Sequence, residues 1–362
     1  MRRFERINDV VEPVEEYKPG GYHPVHLGDV FQERYEIVGK WSYGQFSTVW
    51  HAWDYTLERD VTLKILKATA LEKSKELSTF TQLSQAKNHP GKKHVLSLLD
   101  HFKHNGPNGS HPCLVFPSML SDGQVMTAHR MARSVMFMRN ISKQIILGLE
   151  FLHETDFIHS DLHAANILFN TTQTEYRDLL MPPKFSPVCW LPGIEADSSA
   201  PEYLMVSQRP FGFLHDADGS CLTVKIGDLG GAFQSNDKDS RPVTPFGMKA
   251  PELFDGRPLD NKIDIWALGC LLFQFATNEP LFPVMRFGCT EEECRQMLRD
   301  LVTQIVGSGY VGFAVHLGER LKSDFDGEHT EQFAQFLWPM LQQNPQDRPS
   351  ASELLKHPFL HC

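Results

Sequence analysis

Four groups of residues in this sequence have types and spacings suited to chemistry on a phosphate. The first is WSYGQFSTV, made of Trp41, Ser42, Tyr43, Gly44, Gln45, Phe46, Ser47, Thr48 and Val49. Small residues such as Ser42, Gly44 and Ser47 let backbone N–H groups approach phosphate oxygens; an ordinary hairpin turn is the competing reading. The second is Lys64 in the apolar run VTLKIL, where an ammonium is costly to bury without a partner. It can reach a ligand phosphate and a carboxylate on the next helix, with Glu76 the candidate. An edge-strand lysine facing water is the alternative. The third is HSDLHAAN (159–166), where Asp161 can accept or orient the proton of an attacking hydroxyl and Asn166 can offer an amide oxygen to a metal. The fourth is DLG, in which Asp228 can bind Mg²⁺ and Gly230 permits the turn. Taken singly, Asp161 or Asp228 is equally well read as a loop aspartate capping the next segment.

The elements that must position these groups are of two kinds. Residues 1–34 are polar and rich in Pro and Gly, and read as an extended arm that packs on the body. From Tyr35, the runs YEIVGKW, STVWHAWD and DVTLKILK are β-branched, aromatic and separated by turn residues, which predicts strands. Residues 69–86 predict a helix with an apolar face at Leu77, Phe80 and Leu83, and two more strands are expected near 94–103 and 112–117. Beyond Met119 the pattern is helical: Met138, Ile141, Ile145, Leu149 and Leu152 recur along one helix face. Residues 171–222 are Pro-rich and aperiodic, the mark of an insert or functional loop. DIWALGCLLFQFA, starting at Asp264, is apolar on all sides and reads as a buried helix. The expected fold class is α+β. A five-stranded antiparallel unit with one helix (35–118) is followed by a mainly helical unit (119–360) that contains the 171–222 insert. A cleft between two such lobes is a natural ligand site.

Composition narrows the function. The 362 residues carry 35 Lys plus Arg against 45 Asp plus Glu, a formal charge of −10, which argues against a protein that coats nucleic acid. A hydrophobic share of 41% and a charged share of 22% exclude global disorder. No apolar run approaches the ~20 residues needed to span a bilayer. The opening MRRFERINDVVEPVEE lacks an apolar signal core, and Glu5 and Asp9 interrupt its arginines. Seven scattered cysteines without CxxC predict reduced thiols rather than a disulfide frame or zinc site. His101, His104 and His111 flank NGPNGS, read as a hairpin loop rather than a metal site. A monomer is expected, with no membrane and no direct nucleic-acid binding.

In chain order the glycine-containing turn, strand Lys, helix Glu, HxDxxxxN and DxG resemble the signature set of eukaryotic protein kinases. APE (250–252), DIWALG from Asp264 and DRP (347–349) continue it, and the resemblance pairs Glu252 with Arg348. Within the kinases the sequence is similar to the SR-protein kinase family, in particular its fungal branch. The carrying segments are GGYHPVHLGDVFQERYEIV (20–38), GQFSTVW (44–50), HPGKKHVLSLLDHF (89–102), DLHAANILF (161–169) and DLGGAF (228–233). The resemblance spans about 20–360 and implies the bilobal protein kinase fold. It further implies transfer of the ATP γ-phosphoryl group to Ser or Thr of protein substrates, Arg/Ser-rich splicing-type proteins among them. ATP and Mg²⁺ are the implied cofactors, and the location is cytoplasmic or nuclear. By motif, Lys64 would contact the ATP phosphates and pair with Glu76, Asp161 would be the catalytic base, and Asn166 and Asp228 would hold Mg²⁺. Residues 41–49 would cover the phosphates. Phe116 would be the gatekeeper, and Pro117 and Met119 would bind adenine through a carbonyl and an N–H respectively.

Several positions depart from the family pattern. Ser160 replaces the usual Arg, which normally pairs with a phosphorylated activation loop, so activity is expected not to need phosphorylation in 230–250, Thr244 included. Ser42 stands for the first Gly of the loop and Thr62 for the Ala that roofs adenine. His163 takes the catalytic place of the Lys that neutralises the transferred phosphate. Its imidazole can donate a hydrogen bond but carries full charge only when protonated, which slows transfer without abolishing it. Lys249 stands for Arg, losing bidentate contacts. Where the family receives Arg-Ser repeats, 286–326 holds Glu291, Glu292, Glu293, Asp300, Glu319, Asp324 and Asp326, but the familiar docking sequence is absent and a solvated acidic helix face is expected. The alternative function is a pseudokinase or ATP-binding scaffold, motivated by Ser42, Thr62 and His163. A small-molecule phosphotransferase is the third reading, opposed by the APE, DIWALG and DRP set.

Overall fold

Val61, Leu63 and Ile65 are buried while Thr62 and Lys64 between them are not, the period-two pattern of a half-buried strand. Such strands build the first of two units into which the chain divides, residues 1–84, 97–120 and 174–210; the second holds 85–96, 121–173 and 211–362. The computed structural model describes residues 2–70, 75–171, 182–210, 214, 218–237, 239–255, 259–285, 287–321 and 325–361.

The first unit is an antiparallel sheet of β1 (Val30–Phe31), β2 (Tyr35–Gly44), β3 (Ser47–Asp54), β4 (Arg59–Leu66), β5 (Asp100–Gly106) and β6 (Gly109–Pro117), in the order β1-β2-β3-β4-β6-β5. It has six strands rather than the expected five. Gln32 and Glu33 adopt positive φ (56° and 52°), and this tight turn folds the end of the arm back onto β2. Tyr35, Ile37, Trp50, Ala52, Val61, Leu63, Ile65, Cys113 and Val115 form its core. The strand expected near 94–103 begins only at Asp100, because Pro90–His94 forms a 3-10 turn capped by His89. Helix α1 (Glu76–Gln85) buries Phe80 and Leu83 as expected. It starts later than the predicted 69, with Ala68–Ala70 a separate 3-10 turn and 71–74 outside the described residues.

The arm and the insert share a second small core in this unit. Tyr17, Tyr22 and Leu204 pack with Ile7, Val11, Val14, Val188 and Ala200. The expectation that 171–222 belongs with the helical unit therefore fails for 182–210. Strand β10 (Phe185–Pro187) pairs with β11 (Tyr203–Met205), Phe4 stacks on Trp190 at 4.4 Å, and Gln208 N–H donates to the Lys40 carbonyl at 2.7 Å. A short segment cut off from a larger core hides its apolar side chains against whatever apolar surface is within reach, and here that surface is the arm.

In the second unit, the short helix α2 (Gly123–Ala128) precedes helix α3 (Val135–Glu154), which starts at Ser134, whose hydroxyl accepts from the Phe137 N–H, and buries Met138, Ile141, Ile145, Leu149 and Leu152 along one face. Helix Lys262–Thr277 is buried nearly throughout, matching its unbroken apolar sequence. Between α3 and that helix in sequence lie β8 (Phe157–Ile158), β9 (Ile167–Thr171), β12 (Leu222–Ile226) and β13 (Phe233–Gln234); β9 lies between β12 and β7 (Ser121–Asp122), and β13 pairs with β8. Among the described residues no single helix is long and apolar enough to cross a membrane.

Candidate active site

In the first unit, the register sets Val49 opposite Lys64 and His51 opposite Thr62, so these four side chains share one face of the sheet. Lys64 Nζ lies 2.8 Å from Glu76 Oε1, with Glu76 almost wholly buried as the first residue of α1. The strand lysine is thus held by the helix glutamate, and the edge-strand reading is discarded. Phe116, opposite Thr62 on β6, stacks against Phe80 of α1 at 5.0 Å and so helps seat the helix that carries Glu76. Pro117 ends β6, and Met119 follows, buried.

Residues 41–49 form the β2–β3 hairpin, with Gln45 and Phe46 at its tip and Gly44 paired with Ser47. Gly44, Gln45 and Phe46 are exposed, Ser42 and Tyr43 half-buried, and Ser47 buried. Two members have partners within the sheet. Thr48 is fully buried, and its hydroxyl accepts from Trp50 Nε1 at 2.9 Å. Trp41 falls at a register shift in the ladder and stacks on His51 at 4.8 Å. Such bulges re-aim a side chain, which the one-dimensional pattern does not reveal.

The second unit holds the two carboxylates. Ile226 pairs with Ile167, so the ladder brings Asn166, just before β9, beside Asp228, just after β12. The Gly227 N–H donates to the Asn166 carbonyl at 2.8 Å, and His159 Nε2 bonds the Gly227 carbonyl at 3.0 Å. Asn166 Nδ2 donates to the Asp161 carbonyl at 2.9 Å, which commits its nitrogen and leaves the amide oxygen as the atom to offer a cation. The Asp161 side chain is 21% exposed. Asp228 has φ 52°, a left-handed conformation that is uncommon and costly for a residue with a Cβ and recurs at functional turns. His163 Nδ1 accepts from the Ala165 N–H at 3.3 Å, and its Nε2 lies 3.2 Å from Asn166 Nδ2 and 3.6 Å from Asp161 Oδ2.

Three contacts hold this loop, and sequence reasoning assigned roles to none of them. Asp264 accepts from the backbone N–H groups of His159 and Ser160, both at 2.8 Å, and from His153 Nε2 at 3.0 Å. A lone carboxylate in an otherwise apolar run needs such partners, and that was the available signal. The Ser160 hydroxyl donates to the Gly231 carbonyl at 2.8 Å, tying the catalytic loop to the start of the activation segment. Thr244, itself buried, donates its hydroxyl to the Ser160 carbonyl. The pairing of Glu252 with Arg348 is present as a buried bidentate bridge at 2.6 and 2.8 Å.

Comparison with known proteins gives this arrangement a family. Residues 33–180 and 209–360 match the protein kinase domain. The chain belongs to the protein kinase family. The unmatched stretch inside that span, 181–208, coincides with the part of the insert that packs with the arm in the first unit. The kinase is 29% identical to the serine/threonine-protein kinase SRPK of Physarum polycephalum, over 96% of this chain and 91% of that protein. It is 25% identical to protein kinase dsk1 of Schizosaccharomyces pombe, over 98% and 86% of the two chains. It is 34% identical to SRSF protein kinase 3 of Homo sapiens over 43% of this chain and 29% of that one. The protein is an SR-protein-kinase-like, ATP-dependent protein serine/threonine kinase, and the pseudokinase alternative finds no support.

Proposed function

We propose that this kinase phosphorylates serines in Arg/Ser-rich protein segments with Mg·ATP, and that Asp161 is its catalytic base. The observation that carries the reading is the loop clamped by Asp264, which holds the partly exposed Asp161 carboxylate beside Asn166 and within one ladder step of Asp228. In the proposed step the serine oxygen attacks the γ-phosphorus, its proton passes to Asp161, and ADP leaves. Lys64, oriented by Glu76, binds the ATP phosphates, and the exposed backbone of 44–46 covers them. Val49 and Thr62 lie under the adenine, which Pro117 and Met119 bind at its edge beside Phe116. His163 Nε2 lies on the same side as the Asp161 carboxylate, where the imidazole can serve the transferred phosphate.

The amide oxygen of Asn166 and the carboxylate of Asp228 are hard oxygen donors, the set that Mg²⁺ prefers, so these residues fit the cation. Bound there, Mg²⁺ would neutralise charge on the phosphate oxygens.

The family resemblance, a relative named as an SRSF protein kinase and the formal charge of −10 support a basic substrate. Helix Glu291–Ile305 is not the basis of that preference. Arg295 and Arg299 pair with its Glu291 and Glu292, and Glu293 is spent in a capping box with Thr290.

The test is transfer from Mg·ATP to an Arg-Ser repeat peptide, beside a Lys-Ser repeat and the Asp161→Asn protein. Expected are preference for the Arg-Ser peptide and an Asp161→Asn rate lower by about 10²–10⁴-fold with nucleotide binding retained. Equal use of both peptides would overturn the substrate class. An Asp161→Asn protein as active as the wild type would overturn the role of Asp161.

A further inference from the structure

The GGYH of the arm belongs to no catalytic motif, yet its tyrosine ends on the phosphate-loop hairpin. Gly20 has φ +82°, and its N–H donates to the Asn108 carbonyl at 2.7 Å. A Cβ on Gly21 would lie 1.9 Å from the Glu16 carbonyl oxygen, so the chain can turn there only without a side chain. Beyond that turn the Tyr22 backbone is fixed at both ends. Its N–H donates to the Glu16 carbonyl at 3.0 Å, and its carbonyl accepts from Asn108 Nδ2 at 2.7 Å. The ring is buried against Tyr17, and its hydroxyl donates to the Gly44 carbonyl at 2.6 Å.

A second link from the arm reaches the other side of the hairpin tip. The Lys67 N–H donates to the Phe46 carbonyl at 2.8 Å. The Lys67 ammonium pairs with Glu16 at 2.9 Å and lies 4.2 Å from the centre of the Tyr22 ring. Tyr22 of the arm thus holds the Gly44 carbonyl, and Lys67, whose side chain the arm engages, holds the Phe46 carbonyl, on either side of Gln45. No peptide bond among the described residues is cis, and a trans peptide carries its C=O and N–H on opposite sides. Fixing those two carbonyls fixes the directions in which the N–H groups of Gln45 and Ser47 are presented. Burial, with Glu12 and Glu16 nearby, pushes the Tyr22 hydroxyl up to about 12, so it remains a donor at every working pH.

We propose that Tyr22 is a positioning residue for nucleotide binding: its hydroxyl holds the Gly44 peptide so that the hairpin amides are already aligned for the phosphates of ATP. This rests on the reading of residues 41–49 as the phosphate-covering loop. Backbone that is ordered beforehand does not have to be ordered on binding, and the saving appears as affinity.

The experiment compares full-length wild type, Tyr22→Phe and Tyr55→Phe, the last removing only a surface hydroxyl contact to Glu36. The readouts are equilibrium binding of Mg·ADP, KM for ATP and for peptide, melting temperature, and hydrogen exchange at residues 44–47 of the free protein. Tyr22→Phe is expected to weaken Mg·ADP and raise KM for ATP about three- to tenfold, the worth of one ordinary hydrogen bond. Exchange at 44–47 should quicken while KM for peptide stays unchanged, and Tyr55→Phe should match wild type. Unchanged nucleotide affinity, or an equal rise in both KM values together with a lower melting temperature, overturns the proposal. Should Tyr22→Phe fold poorly, Glu16→Gln decides: it loosens Lys67 and should raise KM for ATP selectively, and no selective effect overturns the proposal. Wild type that binds no Mg·ADP would instead sink the nucleotide-site reading itself.

Discussion

Arg348 has nearly all of its hydrogen-bonding capacity committed inside the second unit. It meets Glu252 in a fork, donates from Nε to the Gln342 carbonyl at 2.7 Å, and lies 5.0 Å from the centre of the Trp266 ring. Both charges are excluded from water, so removing one strands the other. Glu252→Gln is expected to lower unfolding free energy by about 3–5 kcal/mol. Chemical denaturation of the two proteins measures it, and a difference below about 1 kcal/mol would show that the pair does not act this way. Ser160 is a quieter case. With φ +62° and 1% exposure, it can place a hydroxyl on the Gly231 carbonyl, whereas a long cation at this position would need room that is absent. The substitution was evident from the motif, but the bond that replaces the arginine's role was not, because its acceptor lies 71 residues away in the chain.

At the scale of elements, the activation segment is held from within. Ser160 donates its hydroxyl to the Gly231 carbonyl and accepts from the Thr244 hydroxyl at its own carbonyl. Thr244, however, is buried and bonded, so Thr244→Ala would test packing and not regulation. The informative hydroxyls are Ser235 and Ser240, which cap to Asp156 and Asp237. Phosphatase treatment, and Ser235→Ala with Ser240→Ala, should leave peptide phosphorylation within about twofold of untreated wild type, because Ser160 stands where the arginine that pairs with such a phosphate is usual. A loss beyond tenfold would contradict this. The phosphate-loop hairpin is likewise held from outside itself, by Tyr22 and Lys67 at its tip and by Gln208 and Arg209 beside Lys40 and Trp41.

At the scale of the whole molecule, net charge acts where contacts do not. With the glutamates of helix Glu291–Ile305 largely self-paired, the proposed attraction for a basic peptide is assigned to the summed charge of −10, which salt screens. KM for an Arg-Ser peptide should rise several-fold as ionic strength goes from about 0.05 to 0.3 M, while KM for ATP, itself an anion, should not rise. A salt-independent peptide KM would mean that recognition rests on close, desolvated ion pairs instead.

Chemistry and its order along the chain were legible without coordinates. Lys64, Glu76, Asp161, Asn166 and Asp228 each have an ordinary structural reading taken singly, and it was their order along the chain that singled them out. The two long helices were legible as well, since α3 and Lys262–Thr277 carry their burial in their period. Tertiary structure alone decided what depends on partners far away in sequence. The register shift at Trp41 set its ring against His51 of the next strand. The aperiodic insert and arm took their fold from each other, through Phe4 with Trp190 and Tyr17 and Tyr22 with Leu204. A segment without a period of its own carries no local record of the surface that will bury it.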